Sequence, residues 1–384
     1  MYPRTLYSRT LKLAALAFFA SVVGASAQDV RVGFHVPQTG FAAADGKSAL
    51  HGAELAVEQI NAQGGINGRK LVLVVYDDQG KADQAQPIAN RLLGDGVKVV
   101  ISGSYSGPTR AAASIFQNAK IPYISAYAIH PDITRAGDFV FRTSFMGEVQ
   151  GRAGAKLVGD FIKKKRVTMI NLNNDFGQAL GAGFKEAAPK FGLQIVSEYN
   201  YGMSDRQFGS IVASVKRDNP EVIYASGYFF TAGPLVSQLR AGGVTATIVG
   251  QEGYDTPNFV DIAKTAAEGV IITTSLDRDS KDTEMRAFID GYEKKYNIAA
   301  DMVAATTHTA VRVAAEAMRK AGADDPVKIR EAIANGKVHA ATGTIMFNDL
   351  GEISKNVQAQ IIKDGKYHHY AVIEDPVLLA PPTK

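Results

Sequence analysis

The sequence predicts an α/β protein made of two doubly wound units in tandem. Short β-branched runs alternate with segments of helical period, which is the arithmetic of a parallel sheet covered on both faces. The alternation starts afresh near residue 148, after a first set of four strands. With 384 residues, the chain is long enough for about two domains.

In the first unit the strand runs are VRVGFHV (30–36), KLVLVVYDD (70–78), VKVVIS (97–102) and IPYISAY (121–127). Helical segments fall between them at 47–62, 82–95 and 108–118. The second unit opens with a helix over 148–163 and continues with RVTMINLN (166–173), LQIVSEYNY (193–201), EVIYASGY (221–228), TIVGQEG (247–253) and EGVIITTSL (268–276). Its intervening helices are expected at 177–191, 205–217 and 231–241. Beyond 276 come three helices, at 281–296, 301–321 and from Pro326 to about 335, and then two strand-like runs, GTIMFND and VQAQIIKDGKYHHYAVI. These do not amount to a third α/β domain, so they must pack on the earlier units, and the chain should cross between units more than once. No low-complexity linker and no short repeat interrupts the pattern.

The first residues read as a secretory signal peptide. Arg4, Arg9 and Lys12 precede an apolar run at 13–23 and the small-residue sequence Ala25-Ser26-Ala27, after which cleavage is expected. Eleven apolar residues fall short of the roughly 20 that span a bilayer as a helix. The remaining 357 residues should therefore be an exported, periplasmic protein. Cysteine is absent, which rules out lipid attachment through an N-terminal Cys, disulfides, thiol catalysis and thiolate metal sites. Cleavage leaves 39 Lys and Arg against 38 Asp and Glu, a net charge of +1. The one dense basic run, KKKR at 163–166, has no interleaved aromatics and reads as a solvated helix end, not a nucleic-acid surface.

In doubly wound sheets, ligands sit beyond the carboxyl ends of the strands. The loops to inspect are therefore 102–108, 125–131, 173–177, 227–230 and 251–254. They carry Ser104, Tyr105, Ser106, Tyr127, Ala128, Ile129, Phe176, Tyr228, Glu252 and Tyr254: aromatics, hydroxyls and very few acids. That inventory suits binding better than catalysis. SGSYSGPTR lacks the Gly-Lys-Ser/Thr ending of a nucleotide loop, and Pro108 fits a first helical position. Ser106 either caps this helix or, with the free N–H groups beside it, holds a carboxylate. No GxGxxG follows the first strand in HVPQTGFAAADG, so no dinucleotide cofactor is expected. There is no GxSxG elbow or HExxH, and the seven histidines are scattered, with His368 and His369 facing opposite ways on a strand. No metal site is expected. Asp77-Asp78 and Asp324-Asp325-Pro326 read as turn and helix-start chemistry. Glu252, in GQEGYDT among glycines that allow close backbone approach, could meet an ammonium group.

The segments TGFAAADGKSALHGAELAVEQINAQGGINGRKLVLVVYDDQGKADQAQPIANRLL, SGSYSGPTRAAASIFQNAKIPYISAYAIHPDITRAGDFVFRT, NNDFGQALGAGFKE, GYFFTAGPLVSQLRAGG and VGQEGYD closely resemble the branched-chain amino-acid-binding proteins of bacterial ABC importers. These are periplasmic type I solute-binding proteins, and the likeness covers nearly the whole mature chain. It implies two lobes joined by three crossover strands with the ligand between them, lobe 1 being 28–146 plus 277–354 and lobe 2 being 147–276 plus 355–384. It implies that Ser106 binds a carboxylate, Glu252 an α-ammonium, and Tyr228 covers the ligand from the closing lobe. It also implies a membrane permease as partner and action as a monomer. The chain departs from the leucine-type pattern at Tyr127 and Ile129, where a small residue and a threonine are usual, and at Phe176 in place of tyrosine. Tyr105, Tyr127, Phe176 and Tyr228 then give a flatter, more aromatic cavity, suited to an aromatic amino acid or related organic acid as well as to a branched-chain one. A ligand-sensing subunit of a regulatory system is the rival within the fold, and an exported hydrolase the rival outside it.

Overall fold

The computed structural model describes Met1 and residues 28–383. The segment read as a signal peptide, 2–27, lies outside the described residues. Among the described residues no helix is long and apolar enough to cross a membrane.

The first unit runs β1 (Val30–Val36), α1 (Ala43–Ala62), β2 (Leu71–Asp77), α2 (Ala82–Gly94), β3 (Val100–Ser102), α3 (Ser106–Ala119), β4 (Tyr123–Ser125) and β5 (Val140–Arg142). Its five strands are all parallel, in the order β2-β1-β3-β4-β5. The second unit runs α4 (Gly147–Lys156), β6 (Arg166–Leu172), α5 (Asp175–Ala187), β7 (Gln194–Tyr201), α6 (Gly209–Asp218), β8 (Val222–Ala225), α7 (Phe229–Ala241), β9 (Thr247–Gly250), α8 (Pro257–Ala263) and β10 (Ile271–Thr274). Its parallel part is wound in the same way, β7-β6-β8-β9-β10. In each sheet the winding reverses direction beside the first strand laid down, between β1 and β3 and between β6 and β8, which is where a crevice opens in this architecture.

The rest of the chain completes both units. Helices α9 (Thr283–Tyr296) and α10 (Met302–Ala321) pack on α1, and α11 (Pro326–Ala334) packs on α10. The Tyr296 ring stacks on His51 at 3.8 Å, and His308 Nε2 lies 2.8 Å from Gln59 Oε1. The short hairpin β11 (Val338–Ala340) and β12 (Gly343–Ile345) follows. The long final run is two strands, not one: β13 (Val357–Lys363) and β14 (Lys366–Ile373) form an antiparallel hairpin that extends the second sheet beside β10. Asp364 and Gly365 turn it with φ of 50° and 70°, the left-handed pair that matches strand twist. The chain thus passes between the units three times, after β5, after β10 and before β13.

Sequence and structure differ elsewhere in instructive ways. The helix expected over 148–163 is α4 followed by a π-helical turn at Leu157–Ile162, ending at Lys163 in the left-handed region. Lys163, Lys164, Lys165 and Arg166 are exposed there. Asp77 behaves as a turn acid, accepting from the N–H groups of Gln38, Thr39 and Gln79. Asp78 does more: its Oδ2 lies 2.6 Å from His35 Nδ1, and His35 Nε2 lies 2.7 Å from the Tyr123 hydroxyl, all out of reach of solvent. Helix α1 starts four residues earlier than its periodicity suggests, because Gly46 lets its first turn press against the end of β1. A Cβ at Gly46 would stand 1.8 Å from the Pro37 carbonyl oxygen.

That approach gives a test by chemical denaturation. Gly46→Ala should lower the unfolding free energy by at least about 2 kcal/mol, the cost of forcing an extra group into packed backbone. Gly94→Ala, where a Cβ would meet nothing within 4 Å, should leave stability unchanged or raise it by up to about 1 kcal/mol.

Candidate functional site

The two sheets face each other across their carboxyl ends and line a shared cavity with about 20 Å³ of free volume. Each switch point contributes to it. From the first unit come Asp45 after β1, Tyr105 and Ser106 after β3, and Tyr127 and Ala128 after β4. From the second come Phe176 after β6, Tyr228 after β8, and Glu252 to Thr256 after β9, with Tyr254 turned away. Met302 and Val303 at the start of α10 close the wall.

Aromatic stacking ties the units together. Tyr105 from the first and Tyr228 from the second lie 4.1 Å apart with ring planes 5° from parallel, and Phe176, also from the second, stacks on Tyr228 at 4.7 Å. Phe41 and Phe230 meet edge to face at 5.7 Å beside them. At the rim, Arg110 of α3 pairs with Asp175 of α5 at 3.0 Å.

Of the ten loop residues singled out from sequence, Tyr105, Ser106, Tyr127, Ala128, Phe176, Tyr228 and Glu252 come together on the cavity wall, while Tyr254 is turned away from it. Ser104 and Ile129 do not reach it. Ser104 is fully buried behind Gly103, whose chain runs hard against Phe34. Ile129 packs toward Gly147 and accepts that residue's N–H at 2.8 Å. Ser106 is the first residue of α3 and not its cap, and Pro108 is the third residue and not the first. No side chain caps this helix, so the Ser106 and Gly107 N–H groups face outward from its end. The Ser106 hydroxyl oxygen accepts from Ile129 N–H at 3.2 Å, which joins the loops after β3 and β4 and leaves its own proton to donate. The glycine beside Glu252 serves a different purpose from the one expected: a Cβ at Gly253 would lie 2.1 Å from the Gly227 carbonyl oxygen, so two loops of the second unit pack backbone to backbone.

Sequence reasoning missed Asp45, Asp255, Thr256, Met302 and Val303. Asp45 follows directly from the switch-point rule, since the loop after β1 is the natural partner of the loop after β3. Met302 and Val303 reach the site only because α10 docks on α1, and no local signal announces that.

The cavity is acidic. Asp255 is fully engaged, bonded to Arg278 and to the Thr274 hydroxyl. Glu252 is buried with Oε2 lacking any partner among the described residues, and burial raises its pKa to about 8, with Lys355 opposing the shift. Lys355, half-buried and donating to the Thr342 carbonyl at 3.1 Å, is itself pushed down to about 7 by burial, with Glu252 opposing. The histidines contribute no metal site: His368 and His369 pair separately with Asp279 and Asp277, and no cluster of His, Asp and Glu among the described residues could hold an ion.

A carboxyl whose pKa rises on folding stabilises the protein fully below its unfolded pKa near 4.5, and that contribution is lost as pH rises toward 8. Compared with Glu252→Gln, the wild type should therefore lose stability between pH 5 and 7 by up to about 1.4 kcal/mol per pH unit. Urea denaturation of both proteins at several pH values measures this difference; parallel profiles would mean that the Glu252 carboxyl is not held protonated.

Comparison with known proteins agrees with this architecture. A family model for periplasmic binding proteins matches residues 29–366. The chain is 29% identical over 349 residues to the leucine-, isoleucine-, valine-, threonine- and alanine-binding protein of Pseudomonas aeruginosa, covering 90% of this chain and 92% of that one. It is 32% identical over 350 residues to Leu/Ile/Val-binding protein homolog 3 of Brucella melitensis, covering 90% and 95%. Among solved structures, the branched-chain amino acid transporter substrate binding protein LivJ of Streptococcus pneumoniae, in complex with isoleucine, superposes with a TM-score of 0.84 at 26% identity, covering 90% of this chain and 99% of that one. With a matching model spanning most of its length and the same two-unit architecture around a shared cavity, the chain belongs to the periplasmic binding protein family.

Proposed function

We propose that this chain is the exported capture component of an ABC importer, that it encloses a small α-amino acid between two lobes, and that it releases that ligand chemically unchanged. The lobes are 28–146 with 277–354, and 147–276 with 355–384. The protein acts as a monomer on an inner-membrane permease, without a lipid anchor. The observation that carries this reading is the opposed pair of polar ends in one cavity. The uncapped start of α3 with Ser106 offers donors to a carboxylate, and the unpartnered carboxyl of Glu252 offers an acceptor to an ammonium. The ligands named for the three relatives described above are amino acids, which supports the same choice.

The ligand enters the open cleft and meets lobe 1 first, where its carboxylate lies against the Ser106 and Gly107 N–H groups. The crossovers then bend. Phe176, Tyr228 and Glu252 descend, the ammonium ionises Glu252, and the rings exclude water. Nothing in this sequence makes or breaks a covalent bond; binding energy is spent on shifting the balance from open to shut. A second reading, an organic acid with a ring and no ammonium, is favoured by the stacked aromatic wall of Tyr105, Tyr228 and Phe176.

Thermal unfolding against amino acids and aromatic acids, with small-angle scattering on each hit, tests the proposal. A true ligand at a hundred times its dissociation constant should add about 2.7 kcal/mol and make the particle more compact. Glu252→Gln should weaken an amino acid about tenfold to a hundredfold, the worth of a hydrogen bond to a charged group. It should leave a simple acid unchanged or improved, and that outcome selects the second reading. Ser106→Ala should weaken both classes. If no compound stabilises the protein or changes its shape, the proposal fails.

A further inference from the structure

We infer that Asp45 is a specificity-determining residue of this cleft, receiving a hydrogen-bond donor on the ligand's side chain, so that the ligand is an amino acid whose side chain carries an O–H or N–H group and not a plain hydrocarbon. The inference rests on the amino-acid reading above and deepens it.

Four acids stand in or just behind the cavity wall, and their partners set them apart. Asp255 is held by Arg278 and Thr274. Asp301, behind the wall, accepts from the Ser48 hydroxyl at 2.6 Å and from Ala304 N–H at 2.8 Å, capping α10. Glu252 is the acceptor assigned to the α-ammonium. That leaves Asp45, which is 5% exposed and lines the cavity. Its Oδ2 accepts from the Tyr105 hydroxyl at 2.6 Å, while its Oδ1 is buried without a partner among the described residues.

The side chain is also fixed in place. Gly46 allows the first turn of α1 to press on Pro37, and the Tyr105 ring that holds Oδ2 is itself clamped against Tyr228. Such a carboxyl cannot swing out to water. Leaving one of its oxygens dry costs free energy that a hydrophobic side chain at this position would avoid. No other side chain on the wall among the described residues donates to this oxygen. The Tyr127 hydroxyl donates to the Gly103 carbonyl at 2.6 Å, and no Lys or Arg lines the cavity among the described residues. A donor on the guest would complete the pair. Asp45 and Ser106 lie on the same unit, so the side chain is read by the lobe that is met first, before closure. Burial raises the Asp45 pKa to about 7, a charge readily recovered once a donor arrives.

Calorimetric titration with near-isosteric pairs tests this: threonine against valine, glutamine against methionine, and lysine against norleucine. In at least one pair the donor-bearing member should bind at least tenfold tighter, and the winning pair identifies hydroxyl, amide or ammonium. In Asp45→Asn the amide oxygen takes the Tyr105 hydrogen and the NH2 faces the guest. That variant and Asp45→Ala should both cut the preference below threefold while leaving the apolar member within threefold of its wild-type affinity. If the apolar member binds as well or better in every pair, or the preference survives both substitutions, the inference is overturned. The wild-type comparison alone decides this if neither variant folds. If no amino acid in the panel binds at all, the capture reading itself fails and takes this inference with it.

Discussion

The binding loops hang on one buried ion pair. Arg142, at the end of β5, has no exposed surface, and its guanidinium reaches both oxygens of Glu352 at 3.0 and 2.9 Å. Its remaining donors go to the carbonyls of Ala128 at 2.7 Å and His130 at 2.8 Å, and Thr134 donates to Glu352 at 2.5 Å. The pair therefore fastens the first crossover to the third and, in the same stroke, sets the loop whose Ala128 lines the cavity. Only a planar group with five fixed donors can serve three segments at once. A buried pair of this kind adds little net stability over apolar packing, but removing one member costs about 3–5 kcal/mol, because the other is left charged and dry. What it contributes is position: the donors around the cleft stay in register while the lobes move.

The contact between the lobes is different in kind. It includes two ring pairs, Tyr105 on Tyr228 and Phe41 against Phe230, and aromatic pairs are worth only about 0.5–1.5 kcal/mol beyond their buried area. Contacts on that scale bias a two-state equilibrium without locking it. Polar groups left waiting in the cavity push the other way, since a carboxyl without a partner is better off in water. On the capture reading proposed above, a guest that satisfies Glu252 removes that penalty, so the chemistry of recognition and the energetics of closure are the same interaction seen twice.

Much of this was legible in the sequence, and the misses have causes. Most strands of the two sheets announce themselves because buried parallel strands need β-branched runs such as VKVVIS and EVIYAS, and the loops after them hold seven of the residues that reach the cavity; β5, only three residues long, has no such run and was missed. Asp45 was hidden because α1 begins without a side-chain cap, at Ala42, so its first turn carries no start signal. Ser104 and Ile129 sit in the right loops but turn inward, and one-residue alternation cannot be read where the strand has already ended. The final hairpin did carry its signal, Asp364-Gly365, within a run that otherwise reads as one long strand. The contribution of α10 depends on docking on α1 across 249 residues of sequence or more, as from Gln59 to His308 and from Ser48 to Asp301, which periodicity does not encode.

The bridge between Arg110 and Asp175 has a reach beyond its modest strength. Its two ends sit on opposite units at the mouth, at 45% and 29% side-chain exposure, so separating the units there would break it. Attraction between exposed charges fades as mobile ions crowd in, over a screening distance of about 10 Å at 0.1 M salt. On the capture reading proposed above, the ionic medium outside the protein therefore bears on how long a captured molecule is retained, through a contact that never touches it.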